Sequence, residues 1–327
     1  MDTRKAQRII AGVFAGLALS VNLPLASLAN ALQPVSMPYS SSQVTAYTID
    51  ENRQPVVVAW KAANPTAVLV AIHGFGLHKC AFKQFAQRMQ QDGISTYALD
   101  VRGFGGWMQS DRRSPVSFPD TMQDLRMVVE SIRQEAPDTP IFLMGESMGG
   151  AIALSFAAAN PVMVEGVISS VPSNERFRPL RTAARIAASY ILSAGGKINL
   201  GNVLVSRVTK NEVIRRSWQN DEQAKLKVTV QDLLRINGFM KGSRNMARQI
   251  DKLPVLFVQG HRDDLVKPAG TQKLFNDLST KDKQLLVLEN GEHLTFEEGQ
   301  FDESVLSKLE SWLTAHERPV VIAANNG

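Results

Sequence analysis

The sequence predicts an α/β fold: a mostly parallel sheet with helices on both faces and a helical insertion late in the chain. Three observations carry this. Short apolar runs recur (Ala67 to Ile72, Ile94 to Leu99, Ile141 to Met144, Val164 to Val171, Pro254 to Val258), as in strands buried on both faces. Segments of helical spacing lie between them, the alternation of a parallel sheet. From Ser173 to Ile250 the alternation stops and helical runs dominate.

The chain has 327 residues, 44% of them hydrophobic, enough to bury a large core. The formal net charge of +5 is moderate and no nucleic-acid-binding motif occurs, so no nucleic-acid partner is expected. The single cysteine, Cys80, excludes an intramolecular disulfide and is expected to be a small buried side chain.

Arg4, Lys5 and Arg8 precede an apolar run from Ile9 to Val21; Pro24 breaks it, and Ala29-Asn30-Ala31 offers a cleavage site. This order predicts a secretory signal peptide over residues 1–31 and a periplasmic or secreted protein. The run is short for a membrane span, and an uncleaved anchor is the alternative. No Cys stands just after the run, so no lipid attachment of the bacterial lipoprotein type is expected. The expected organisation is a first core segment (32–172), a helical lid (173–252), a second core segment (253–316) and a flexible tail (317–327).

In order, Val44 to Ile49 and Pro55 to Trp60 read as a hairpin around Glu51-Asn52-Arg53. The strand Ala67 to Ile72 feeds the loop His73-Gly74-Phe75-Gly76. A helix through Phe82, Phe85, Ala86 and Met89 stops at Asp92-Gly93, and the strand Ile94 to Leu99 closes on Asp100 to Gly106. Asp120 is the expected cap of the next helix, with Leu125, Val128, Val129 and Ile132 on one face and Pro137 ending it. In the insertion, Leu180 to Leu192, Asn220 to Lys227 and Val230 to Ile236 read as helices. This stretch holds 15 Lys and Arg against 5 Asp and Glu, so the rest of the chain is net acidic. It is expected to lie over the strand ends, where open sheets bind ligands. There its charge either favours an anionic surface or headgroup or merely solvates a helical face. The last strand, Leu285 to Leu288, leads to Gly291-Glu292-His293 and a closing helix from Asp302 to Leu313.

The sharpest local signal is Gly145-Glu146-Ser147-Met148-Gly149, set between the strand Ile141 to Met144 and the helical run Ala151 to Ala157. Gly-x-Ser-x-Gly in that context is a nucleophile elbow, in which a strained turn raises the Ser hydroxyl above the sheet edge. A Ser hydroxyl is a poor nucleophile until a base takes its proton, and the base needs an orienting carboxylate. Behind such an elbow the chain order is acid, then histidine. Asp263 and Asp264 follow the strand Pro254 to Val258, and His293 follows the last strand, so His293 is the expected base. His73 is expected to brace its loop, His78 lies upstream of the nucleophile, His261 adjoins the acid and His316 sits at a helix end. The developing oxyanion needs donors, assigned to the backbone N–H groups of Met148 and Phe75.

Other chemistries fit poorly. Lys79 stands where a dinucleotide fingerprint needs its third glycine, and Gly145 to Gly150 lacks the Gly-Lys-Ser/Thr of a phosphate loop. No H-E-x-x-H occurs and the histidines are not spaced as metal ligands. A non-catalytic binding protein on the same fold would be marked by a missing triad member, and none is missing.

From about Val44 to Leu313 the chain resembles the monoacylglycerol lipase and lysophospholipase group of serine α/β-hydrolases. Four blocks carry the resemblance: His73-Gly74-Phe75-Gly76; Asp100-Val101-Arg102-Gly103-Phe104-Gly105; Gly145-Glu146-Ser147-Met148-Gly149-Gly150; and Gly260-x-x-Asp263-x-x-Val266-x-Pro268, with His293 behind it. The stretch Asn220 to Leu234 is also similar to the family's lid. The resemblance implies an α/β-hydrolase fold, a Ser147, Asp263 and His293 triad (choosing Asp263 over Asp264), and Phe75 and Met148 as oxyanion donors. It implies cofactor-free hydrolysis of lipid-like esters. A membrane or micelle surface is a further expected partner. Acyl transfer or peptide cleavage on the same triad is the alternative. The chain departs from the family at Leu77, Phe104 and Gly106, where Glu, His and Ser are common.

Overall fold

The computed structural model describes residues 54–109, 114–173, 175–176 and 197–317. The expected signal peptide, the strand Val44 to Ile49, the helix Leu180 to Leu192 and the tail beyond Glu317 lie outside the described residues.

The central sheet has seven strands: β1 (Val57–Trp60), β2 (Ala67–Ile72), β3 (Ile94–Leu99), β4 (Ile141–Glu146), β5 (Gly166–Ser170), β8 (Val255–Gly260) and β9 (Lys283–Leu288). A short pair, β6 (Ile198–Asn199) and β7 (Lys227–Val228), forms a separate two-stranded sheet. The order across the main sheet is β1-β3-β2-β4-β5-β8-β9, and every neighbouring pair is parallel except β1 with β3. This mostly parallel sheet, clad by helices, is the α/β-hydrolase fold.

The apolar runs are continuous because both faces are covered. On β2, Val68, Val70 and Ile72 join one core with Leu125, Val128 and Ile152, whereas Ala67, Leu69 and Ala71 join a second with Phe82, Phe85 and Trp312. Period-two alternation therefore divides one apolar strand between two layers. The helices of the core are α1 (Lys83–Gln91), α2 (Phe118–Glu135), α3 (Met148–Ala159), α7 (Pro268–Asp277) and α8 (Glu303–Ala315). Three more, α4 (Gly201–Val208), α5 (Glu212–Asn220) and α6 (Val230–Gln249), lie in the insertion. Helix α3 is buried almost all round, because α6 contributes Ile236, Met240 and Ala247 to the same core as Ala151, Ile152 and Phe156.

Several local expectations are corrected. Helix α2 is capped by Ser117, whose hydroxyl accepts the Asp120 N–H, and Pro119 fits its first turn. Asn220 to Lys227 is not a helix. Asp221 turns the chain by accepting the Gln223 N–H at 2.8 Å, and the Lys225 N–H goes to the Gly76 carbonyl at 3.0 Å, so the donors a helix needs are used elsewhere. Helix α6 runs to Gln249, well past Ile236. Cys80 is exposed, not buried: its 3-10 turn, Lys79–Phe82, faces Ala81 and Phe82 inward.

Candidate active site

The elbow forms where β4 meets α3. Ser147 has φ 56° and ψ −112°, a conformation that costs a non-glycine residue roughly 1–3 kcal/mol. The surroundings impose it: the Ser147 N–H donates to the Ser170 carbonyl of the adjacent strand at 2.8 Å, and its own carbonyl accepts the Ala151 N–H at 3.2 Å. The two glycines are steric necessities. A side chain on Gly149 would run into the Ile72 carbonyl at the end of β2, and one on Gly145 into the Gly149 backbone.

Asp263 lies just beyond β8 and His293 just beyond β9, the neighbouring parallel strand. Both are buried, and His293 Nδ1 is 2.8 Å from Asp263 Oδ2. The other carboxylate oxygen accepts the N–H groups of Leu265 and Val266, each at 2.8 Å. Burial works to raise the Asp263 carboxyl. His293 and the two backbone donors outweigh it and hold the group below the usual carboxylate range. Asp264, by contrast, is exposed and lies 3.6 Å from Lys210.

The loop after β2 stands beside the elbow: a Cβ added to Gly74 would be 3.6 Å from Ser147 Cβ. His73 is fully buried, with Nδ1 2.8 Å from the Gly74 carbonyl. Its Nε2 accepts the Val101 N–H at 3.0 Å, so Nδ1 carries the proton and donates. The Gly74 carbonyl and Phe75 N–H belong to one trans peptide and point in opposite directions, so the ring fixes where that N–H points. Among the described residues neither the Phe75 nor the Met148 N–H makes a hydrogen bond. For Met148 this follows from its place as the first residue of α3.

Burial lowers His73 from 6.5 to about 4, so the ring is neutral near pH 7. The unfolded chain takes up this proton first as pH falls. The stability contributed by the neutral ring is full above 6.5 and disappears as pH drops toward 4. The linkage is worth about 3 kcal/mol. Urea unfolding at pH 7 and 4.5 is expected to show a smaller acid-induced loss in His73→Gln than in the parent protein.

Two buried glutamates, which the sequence did not flag, link these loops. Glu146, just before the nucleophile candidate, accepts Ser170 Oγ at 2.9 Å and the backbone N–H groups of Thr295, Phe296 and Glu297 at 2.7, 3.2 and 2.9 Å. The strand carrying Ser147 thus holds the loop carrying His293. Glu297 in turn accepts the Gly74 N–H at 2.7 Å. A Glu at the variable position of Gly-x-Ser-x-Gly gives no sign in sequence that it is buried.

The inserted segment clasps the same loops. Thr209 Oγ1 and the Lys210 N–H both bond Glu292, next to His293, at 2.8 Å, and Arg207 donates to the Asp264 carbonyl at 2.7 Å. Trp218 Nε1 donates to the Gly76 carbonyl at 3.2 Å. His78, at 2.6 Å from Asp221, ties the insertion to the β2 loop; His316 caps its helix against the Trp312 carbonyl and Asp282. Among the described residues no group of three or more His, Cys, Asp and Glu side chains is arranged to hold a metal.

The family model Hydrolase_4, described as serine aminopeptidase S33, matches residues 63–300, well over half of the chain. The chain belongs to this family. The chain is also similar to the monoglyceride lipase of Rattus norvegicus, 28% identical over 78% of this chain and 85% of that one. It is 26% identical to the monoacylglycerol lipase of Mycolicibacterium smegmatis over 77% of this chain and 90% of the relative. Among solved structures, a soluble variant of the Saccharomyces cerevisiae monoglyceride lipase superposes with a TM-score of 0.67 at 21% identity. The overlap covers 80% of this chain and 92% of that one. The resemblance to monoacylglycerol lipases drawn from the four motif blocks is therefore matched by these relatives, and the chain is an α/β-hydrolase of that group.

Proposed function

We propose that this α/β-hydrolase is an exported serine enzyme that cleaves carboxylic esters of lipid-like substrates, monoacylglycerols or lysophospholipids, through an acyl-enzyme. The observation that carries the reading is the buried Asp263–His293 hydrogen bond, in a loop held to the residue beside the strained Ser147. Asp263 keeps the Nδ1 proton on His293 and leaves Nε2 free as the base. Ser147 Oγ attacks the ester carbonyl as His293 takes its proton, and the Phe75 and Met148 N–H groups receive the oxyanion. The tetrahedral adduct collapses, His293 returns the proton to the departing alcohol, and Ser147 keeps the acyl group. Water activated by His293 then releases the fatty acid. The leader over residues 1–31 directs export.

A lipid-like substrate fits two features besides the relatives named above. Val213 on α5 and Leu234 on α6 are 76% and 65% exposed, two apolar side chains that the insertion leaves open to solvent. The insertion also carries the chain's local excess of Lys and Arg, suited to an anionic headgroup or surface. No helix among the described residues is long and apolar enough to cross a membrane.

The family's description, serine aminopeptidase, motivates a second reading in which the same groups cleave an amide or pass the acyl group to an amine or alcohol. Purified protein offered a monoacylglycerol, a lysophospholipid, a p-nitrophenyl ester and an aminoacyl p-nitroanilide decides between them. Turnover of the three esters with fatty acid as product is expected. Faster anilide cleavage, or an acceptor that outcompetes water, favours the second reading. Arg181→Glu combined with Arg185→Glu is expected to lower kcat/KM about fivefold on an anionic lysophospholipid and little on a neutral monoacylglycerol. An unchanged ratio removes the role given to the basic charge.

A further inference from the structure

We propose that Glu297 is a positioning residue for this chemistry, its carboxyl holding Gly74 so that the Phe75 N–H stays aimed at the oxyanion. The assignment rests on the serine-hydrolase reading above.

Glu297 lies four residues beyond His293 and is fully buried. Its backbone N–H donates to Glu146 Oε2 at 2.9 Å, and its own Oε1 accepts the Gly74 N–H at 2.7 Å. One residue therefore joins the histidine loop, the strand leading to the nucleophile and the oxyanion loop. The approach is close. A Cβ on Gly74 would lie 3.0 Å from Glu297 Oε2, 3.3 Å from the Glu146 carbonyl and 3.6 Å from Ser147 Cβ. A side chain at Gly74 would crowd the point where the three elements meet.

The two peptide groups flanking Gly74 are fixed by different side chains. His73 takes the Gly74 carbonyl, which shares a peptide with the Phe75 N–H, while Glu297 takes the Gly74 N–H from the peptide before it. Rotation about Gly74, where no side chain restricts the backbone, is thereby held at both ends. A donor that stabilises an oxyanion must be aimed before the charge appears, so holding that aim lowers the barrier and leaves ground-state binding alone.

A merely structural role accounts less well for the carboxyl. Glu297 Oε2 has no hydrogen-bond partner among the described residues, a cost that buried polar groups normally avoid. Burial, reinforced by Glu146 nearby, pushes the Glu297 carboxyl well above the ordinary range, which favours its neutral form. A neutral acceptor suits this position, because a charge so close to Ser147 would oppose the negative charge of the tetrahedral adduct.

The test compares Glu297→Gln, which keeps a neutral acceptor of the same length, with Glu297→Met and Glu297→Asp, which remove or withdraw it. Glu297→Gln is expected to keep kcat within about threefold. Glu297→Met and Glu297→Asp should lose about 30-fold in kcat at near-constant KM, with a matching loss of affinity for an alkylboronic acid, which forms a tetrahedral adduct. If the Met variant does not fold, the Gln and Asp pair carries the comparison. Variants with parental kcat and boronate affinity overturn the proposal. So does a loss shared equally by kcat, KM and melting temperature, or a Gln variant as impaired as the others. Wild-type protein that no fluorophosphonate labels overturns the serine-hydrolase reading and this proposal with it; a labelled wild type with indifferent variants overturns this proposal alone.

Discussion

Ser147→Ala is expected to fold normally and to lose ester turnover by roughly 10⁶-fold in kcat, about what removal of the nucleophile costs where its partners act as a unit. The elbow should survive because its geometry is imposed from outside: by the Ser170 carbonyl on the Ser147 N–H and by the two glycines that let α3 approach β2 and β4. Ala has the same backbone freedom as Ser, so the strain at φ 56° is neither relieved nor increased. Stopped assays on a p-nitrophenyl ester, with circular dichroism and thermal unfolding as controls, measure this. A variant that keeps more than about a thousandth of the activity would mean another group attacks the ester.

The second large effect is expected for Asp263→Asn, about 10⁴-fold in kcat. In the parent, Oδ1 accepts the Leu265 and Val266 N–H groups and Oδ2 faces His293 Nδ1. An Asn keeps its oxygen on the two backbone donors and must turn its NH2 toward the imidazole. That favours the tautomer with the proton on Nε2, which cannot accept the Ser147 proton. The same change at exposed Asp264 should cost less than about twofold, since that side chain lies at the surface beside Lys210. Equal effects at the two positions would contradict the choice of acid.

The sheet was legible in the sequence because buried parallel strands leave long apolar runs, as in Ala67 to Ile72 and Ile141 to Met144. The elbow was legible because its two glycines are sterically compelled. The pairing of Asp263 with His293 could be anticipated because each follows a strand and the strand ends share one edge of the sheet. The rest depended on contacts between distant residues. The turn after Asp221 replaces a helix because the Lys225 N–H donates to the Gly76 carbonyl, far away in the chain. Cys80 faces out only because Ala81 and Phe82 take the inward side of a single turn. Glu146 and Glu297 have the composition of a solvated surface, and only tertiary packing reveals them as a buried link among three loops.

The central claim is that Ser147 becomes covalently acylated during turnover. The most direct measurement reacts the purified protein with an alkyl fluorophosphonate, then locates the adduct by intact-mass and peptide mass spectrometry. A single adduct on the peptide containing Ser147, forming in step with loss of ester turnover and absent from Ser147→Ala, is the predicted result. Loss of activity with the adduct on another residue, or full activity in fully modified Ser147 protein, would contradict the account.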